Sequence, residues 1–163
     1  MLKMRLITAL AALMFSFGMM DTVHAAPQAD QPALISVKES MDSLEMLAAA
    51  GYELVITSNK EHAAKVLVAA EKPLKNFRIV AIRYVPNDDP DDTTIRFKEL
   101  GTLHARTMLA PGSALCAVVE MIGSIPNIGF SYMAEDGTSP VFSLNASGMD
   151  GSLFLAPVKL VNK

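Results

Sequence analysis

The stretch Asn87-Asp88-Asp89-Pro90-Asp91-Asp92 sets four aspartates in five positions around a proline, with apolar sequence on both sides. Asp88, Asp89, Asp91 and Asp92 are the densest group of metal-ligating side chains in the chain. Calcium takes six to eight oxygen ligands, and carboxylates of one short loop can supply several of them. Four like charges also repel one another, and a divalent cation relieves that repulsion. The spacing, however, lacks the glycine and the distal glutamate of an EF-hand loop. A polar, proline-containing loop between two strands needs no metal, and its charges discourage edge-to-edge aggregation. The solvated turn is therefore the leading reading, with calcium as the only cofactor to test.

Other chemistry is sparse. Asp136, Asp150 and His104 could form a hydrolytic acid–base site only if folding brought them together, because their separation is a tertiary fact. Cys116 is the only cysteine and lies in the apolar run Ala114–Val119. Burial there raises a thiol pKa and disfavours the nucleophilic thiolate, so pairing with His62 or His104 is not expected. No G-x-S-x-G elbow is present; Ala110-Pro111-Gly112-Ser113-Ala114 lacks the closing glycine. His104 and Met108 alternate with Arg106 on one strand face, a poor site for a soft metal. Six methionines (Met41, Met46, Met108, Met121, Met133, Met149) are scattered beyond the N-terminal segment. Together these features lean away from an enzyme. Five phenylalanines, three tyrosines and no tryptophan beyond that segment allow an aromatic platform for a glycan but do not indicate one. Asn145-Ala146-Ser147 is a glycosylation sequon, meaningful only in a eukaryotic cell.

The elements that must position these residues begin after a targeting segment. Lys3 and Arg5 precede an apolar run from Leu6 to Met20, and Val23-His24-Ala25 places small residues before a cleavage point at Ala26. At about 1.5 Å per residue this run reaches roughly 22 Å, short of the ~30 Å a membrane-spanning helix must cover. Residues 1–25 thus read as a cleaved signal peptide, and the mature chain as periplasmic or secreted, with no membrane partner. Lys3, Arg5 and Asp21 leave with it, so 14 basic and 17 acidic side chains become 12 and 16, a formal charge of −4. A mildly acidic chain with no basic run argues against a nucleic-acid partner. With one cysteine, hydrophobic burial rather than a disulfide must hold the fold together.

Residues 26–35 read as a flexible Pro- and Ala-rich lead-in, and 36–163 as a single β-rich domain. Ser36-Val37-Lys38-Glu39 fits a capping box, and Met41, Leu44, Leu47 and Ala48 follow at helical spacing before Gly51, which predicts a helix over 37–50. Strands are expected at 53–57, 77–85, 94–99, 102–109, 114–121, 128–134, 140–145 and 152–158, from period-two or β-branched sequence between turn signals. The stretch 59–71 fits either a helix or a loop followed by a strand at 65–69, and its β-branched run favours the strand. Asp136-Gly137 marks a hairpin. About seven to eight strands with these turns predict an antiparallel β-sandwich or partly open barrel carrying one N-terminal helix.

The functional expectation is an exported, non-catalytic domain that binds a protein or glycan partner. Loops at the ends of a sandwich are where such domains carry recognition. Besides the aspartate loop, Ile125, Pro126, Asn127 and Ile128 form the candidate contact loop, two isoleucines flanking a proline. A small secreted hydrolase and a calcium-stabilised structural module are the alternatives.

Overall fold

The computed structural model describes residues 34–88, 91 and 93–161. The expected signal peptide and cleavage point, and residues 26–33 of the lead-in, lie outside the described residues. Among the described residues the elements are β1 (Ile35–Glu39), α1 (Leu44–Ala49), β2 (Glu53–Ile56), β3 (Ala64–Ala70), β4 (Leu74–Val85), β5 (Arg96–Leu109), β6 (Leu115–Val119), β7 (Ile128–Met133), β8 (Val141–Ala146), β9 (Leu153–Pro157) and β10 (Lys159–Leu160). They build two sheets, a four-stranded one in the order β1-β3-β6-β2 and a six-stranded one in the order β10-β5-β4-β7-β8-β9. The predicted mainly-β sandwich or partly open barrel is the observed architecture.

The two sheets face each other across one apolar layer. Val66, Val68, Leu115, Ala117 and Val119 from the first sheet meet Phe77, Ile79, Phe130, Tyr132, Phe142 and Leu144 from the second. Phe77 and Phe130 stack at 6.2 Å, and Tyr132 and Phe142 at 5.7 Å. Alternation along each strand supplies this layer, since successive side chains point to opposite faces. Asn76, with φ 50, interrupts that alternation, so Leu74 and Phe77 both turn inward although they are three positions apart.

The six-stranded sheet also buries part of its other face. Val80, Ile82, Phe97 and Val141 form a second cluster, with Val158 and Leu160 packed on it. The C-terminal segment makes this possible. After pairing with β8 as β9, the chain passes Pro157 and pairs in parallel with β5 as β10. Val158 N donates to Val141 O at 3.0 Å and Val161 N to Phe97 O at 2.8 Å, so one continuous segment joins β8 to β5 and curls the sheet into a half-barrel. Beside that cluster, Arg78 Nη1 donates to Glu99 at 2.7 Å and covers Ser131, which is fully buried.

The expected helix over 37–50 is corrected to six residues, 44–49. Residues 35–39 are instead a strand that pairs with β3 from Ile35↔Ala70 to Glu39↔Val66. Ser36 is therefore not the cap; Ser43 is, its hydroxyl accepting from Met46 N at 3.2 Å. A five-residue ladder to β3 satisfies the backbone groups of 35–39 directly, and Val37 packs on the core. The end of the helix is as expected: Gly51 takes φ 88, with Tyr52 N donating to Leu47 O and Gly51 N to Ala48 O, a Schellman cap. Lys65 Nζ donates to the Asp42 carbonyl, which ties the segment before α1 to β3.

The strand at 65–69 is observed as β3, whereas the two strands expected at 94–99 and 102–109 are one. The β4–β5 register slips between Ile79/Val80 and Ala81/Ile82, leaving Leu103 and Leu100 as the extra residues of two bulges. Each slip reverses which face the next residues occupy. Leu103, expected to share an apolar face with Leu109, is 42% exposed while Leu109 is buried, because the alternation breaks between the pairs Leu74↔Leu109 and Phe77↔Arg106, opposite Asn76.

Candidate functional site: an apolar loop beside the last strands

In the 86–95 loop, Asp88 and Asp91 are exposed, and Asp89 and Asp92 lie outside the described residues. Asn87 Nδ2 donates to Thr94 O at 2.8 Å and pins the loop across its base. Among the described residues no three His, Cys, Asp or Glu side chains gather where they could hold a metal ion. Millimolar calcium is expected to leave the melting midpoint unchanged. A rise would show a native-state site, because a ligand bound only to the folded form must stabilise it.

Asp136, Asp150 and His104 are not brought together. Asp136 lies in the β7–β8 hairpin and Asp150 in the β8–β9 hairpin, at opposite ends of β8, whose six residues span roughly 20 Å at ~3.3 Å each. His104 lies on β5, with β4 and β7 between it and β8. Each aspartate serves its own turn. Asp136 Oδ1 accepts from Thr138 Oγ1 at 2.6 Å and its amide at 2.9 Å, and Asp150 Oδ1 accepts from Ser152 Oγ at 2.8 Å and its amide at 3.0 Å. These donors hold both carboxyls below the ordinary range. Gly137 and Gly151, at φ 82 and 71, supply the left-handed residue that each Asp-Gly turn requires. Cys116 is fully buried between Leu54 and Leu67 in the ladder, and burial pushes its thiol up. That environment keeps it protonated and apolar in behaviour.

The 120–127 loop is organised differently from the aspartate loop. Asn127 holds it from inside: Nδ2 donates to Glu120 O at 2.8 Å, and Oδ1 accepts from Ile122 N at 3.3 Å. Its carbonyl accepts from Ile82 N at 2.9 Å, anchoring the loop to β4. Thus Asn127 positions the loop. The sequence expectation of two exposed isoleucines around Pro126 is corrected in one member. Ile125 is 54% exposed, but Ile128 starts β7 and is buried in the inter-sheet core. Its place on the surface is taken by Ile122, 63% exposed.

Phe154 completes the surface. It lies opposite Asn145 in the β8–β9 ladder, and directly opposed residues share a face. With Ile122, Ile125, Pro126, Asn127 and Asn145 it lines a hollow of about 170 Å³. Sequence reasoning missed Phe154 and Ile122. The available signal for Ile122 was an apolar residue stranded before Gly123-Ser124, with no strand to bury it. For Phe154 there was none, because which face of β9 looks outward depends on its ladder to β8. Asn145 Nδ2, the sequon nitrogen, donates to Ser143 O and Oγ, both at 2.9 Å, and is thereby committed to the strand.

A larger cleft of about 560 Å³ lies at the start of the described chain, lined by Leu34, Leu74, Tyr132 and Met133. Lys72 and Glu135 pair across its rim at 2.7 Å; both are exposed, and such pairs add little stability. No helix among the described residues is long and apolar enough to cross a membrane. Scans against protein-family models, curated proteins and solved structures return no match for this chain.

Proposed function

We propose that the chain is an exported, non-catalytic β-sandwich domain that binds a partner protein through the 122–127 loop and Phe154. One observation carries this reading: Ile122 and Ile125 are held out in solvent by a loop that Asn127 fixes on three sides. Apolar side chains on a mobile loop would lose conformational freedom on binding. A loop already pinned to β4 and to its own backbone avoids most of that cost. The hollow beside Phe154 has room for one or two apolar side chains, and clustered anchors of this kind dominate protein interfaces. Export rests on the Lys3–Ala25 pattern and is tested separately, by N-terminal sequencing of the mature protein, which is expected to start at Ala26.

The test of binding uses the mature chain as bait in its native compartment, beside Ile125→Asp. A carboxylate here must be desolvated on complex formation, so capture is expected to fall about tenfold or more. The melting midpoint should stay put, since substitutions at exposed positions usually change stability by under about 0.5 kcal/mol. Equal capture by both proteins would remove the loop from the contact surface.

A further inference from the structure

We propose that the hollow between the 122–127 loop and Phe154 takes an aromatic side chain ending in a hydrogen-bond donor, a tyrosine or a tryptophan of the partner polypeptide. This rests on the binding-module reading and names the kind of residue that anchors there.

Three observations select that side chain. First, the hollow of about 170 Å³ is walled by Ile122, Ile125 and Phe154, whose apolar surface favours an apolar body. The Phe154 ring is 46% exposed, and a second ring packs on a ring better than an aliphatic chain does. Second, no charged side chain lines the hollow; its polar ones are Ser124, Asn127 and Asn145. An ammonium, guanidinium or carboxylate seated there would lose its water without meeting an opposite charge, at a high cost. The anchor is therefore uncharged. Third, Asn145 lines the hollow with an unspent acceptor. Its Nδ2 donates to Ser143 O and Oγ, which fixes the amide and leaves Oδ1 without a hydrogen bond among the described residues. Asn127, by contrast, spends both ends of its amide within the loop. Hydrocarbon laid over Asn145 Oδ1 would bury that acceptor unmet, whereas a phenol O–H or an indole N–H meets it.

A second copy of this chain does not supply such an anchor. The sequence has no tryptophan and three tyrosines. Tyr132 is 2% exposed and stacks on Phe142 in the core, Tyr84 packs edge-on against Phe97 at 6.3 Å, and Tyr52 is half-buried where the α1 cap joins β2. The occupant is thus a different polypeptide. Two aliphatic side chains would fill the same space but bring no donor to Asn145, and phenylalanine brings the ring without the proton. Tyrosine and tryptophan also have few side-chain torsions to freeze, which suits a loop already fixed before binding.

The probes are the N-acetyl amides of tryptophan, tyrosine, phenylalanine and leucine, titrated into the mature chain. The readout is the NMR shift of the Asn145 side-chain amide and of the Gly123 and Ile125 backbone amides. All four probes carry the same main-chain amides, so differences among them report the side chain alone. The tyrosine probe should bind about fivefold tighter than the phenylalanine probe, the worth of one net hydrogen bond, with tryptophan at least equal to tyrosine and leucine weakest. Asn145→Val should erase the advantage of tyrosine over phenylalanine, and Phe154→Ala should weaken both rings alike. The ranking on the unaltered chain decides the matter by itself if either variant fails to fold. Equal binding of tyrosine and phenylalanine, leucine as tight as either ring, or no shift at the solubility limit of the probes overturns the proposal. Shifts that grow with protein concentration in the absence of probe overturn it too, by placing a second copy in the hollow. If any of these is found while Ile125→Asp still loses the natural partner, the binding-module reading stands without the aromatic anchor.

Discussion

Phe130→Ala should lower stability by about 3–5 kcal/mol, the cost of emptying a well-packed aromatic site. Phe130 is fully buried, stacks on Phe77, and lies opposite Ile79 on one side and Phe142 on the other. Neighbours drawn from β4 and β8 are fixed by their own ladders, so the void cannot close by a small shift. Domains of this size have about 5–15 kcal/mol in total, so the variant should sit near the edge of folding. Thermal melting followed by circular dichroism should drop by roughly 10 °C or more. Met149→Ala serves as the control, since Met149 is 98% exposed and should show almost no change. A loss for Phe130→Ala no larger than for Met149→Ala would mean that the two sheets do not pack as described.

Gly129→Ala should cost about 1–3 kcal/mol through overpacking, although it adds a single methyl group. A β-carbon at position 129 would lie 2.9 Å from Val141 Cγ1, 3.1 Å from Val80 Cγ2 and 3.4 Å from Ile82 Cγ2. All three neighbours are buried in the second apolar cluster, so none can swing into solvent. Backbone strain plays no part, because Gly129 is not among the glycines at positive φ. Space alone demands glycine here, where the half-barrel curls over itself. The coupling is checkable. Val141→Ala alone opens a void and destabilises, yet in the Gly129→Ala background it should restore part of the loss. Strict additivity in the double-mutant cycle would contradict the close approach. Gly101→Ala is the matching control, since a β-carbon there meets nothing within 4 Å.

The sequence by itself determined most of the strands and most of the turns, because both are written locally. Period-two alternation in 128–134 and 140–145 marks faces that any packed sheet would bury. Asp136-Gly137-Thr138 and Asp150-Gly151-Ser152 each carry the carboxylate, the positive-φ residue and the hydroxyl that close a turn, within three positions. Ile125 could be placed on the surface because Pro126 and Ser124 flank it in a loop.

Tertiary structure decided whatever depends on a distant partner. Ser36–Glu39 reads as a helix start until β3, some thirty residues later, offers it a ladder. Which leucines of β5 face water follows from the break at Asn76 of β4 and from two register slips against it, and nothing within β5 announces where they fall. The outward turn of Phe154, the burial of Ile128 and the orphaned Nε2 of His104 are likewise consequences of pairing and layering. Each strand carries its own alternation in its residues, but the register between strands is set by chain that folds beside them from far away. A one-residue change of register moves a side chain to the opposite face. That is why most of the elements could be read from the sequence and the exposed faces could not.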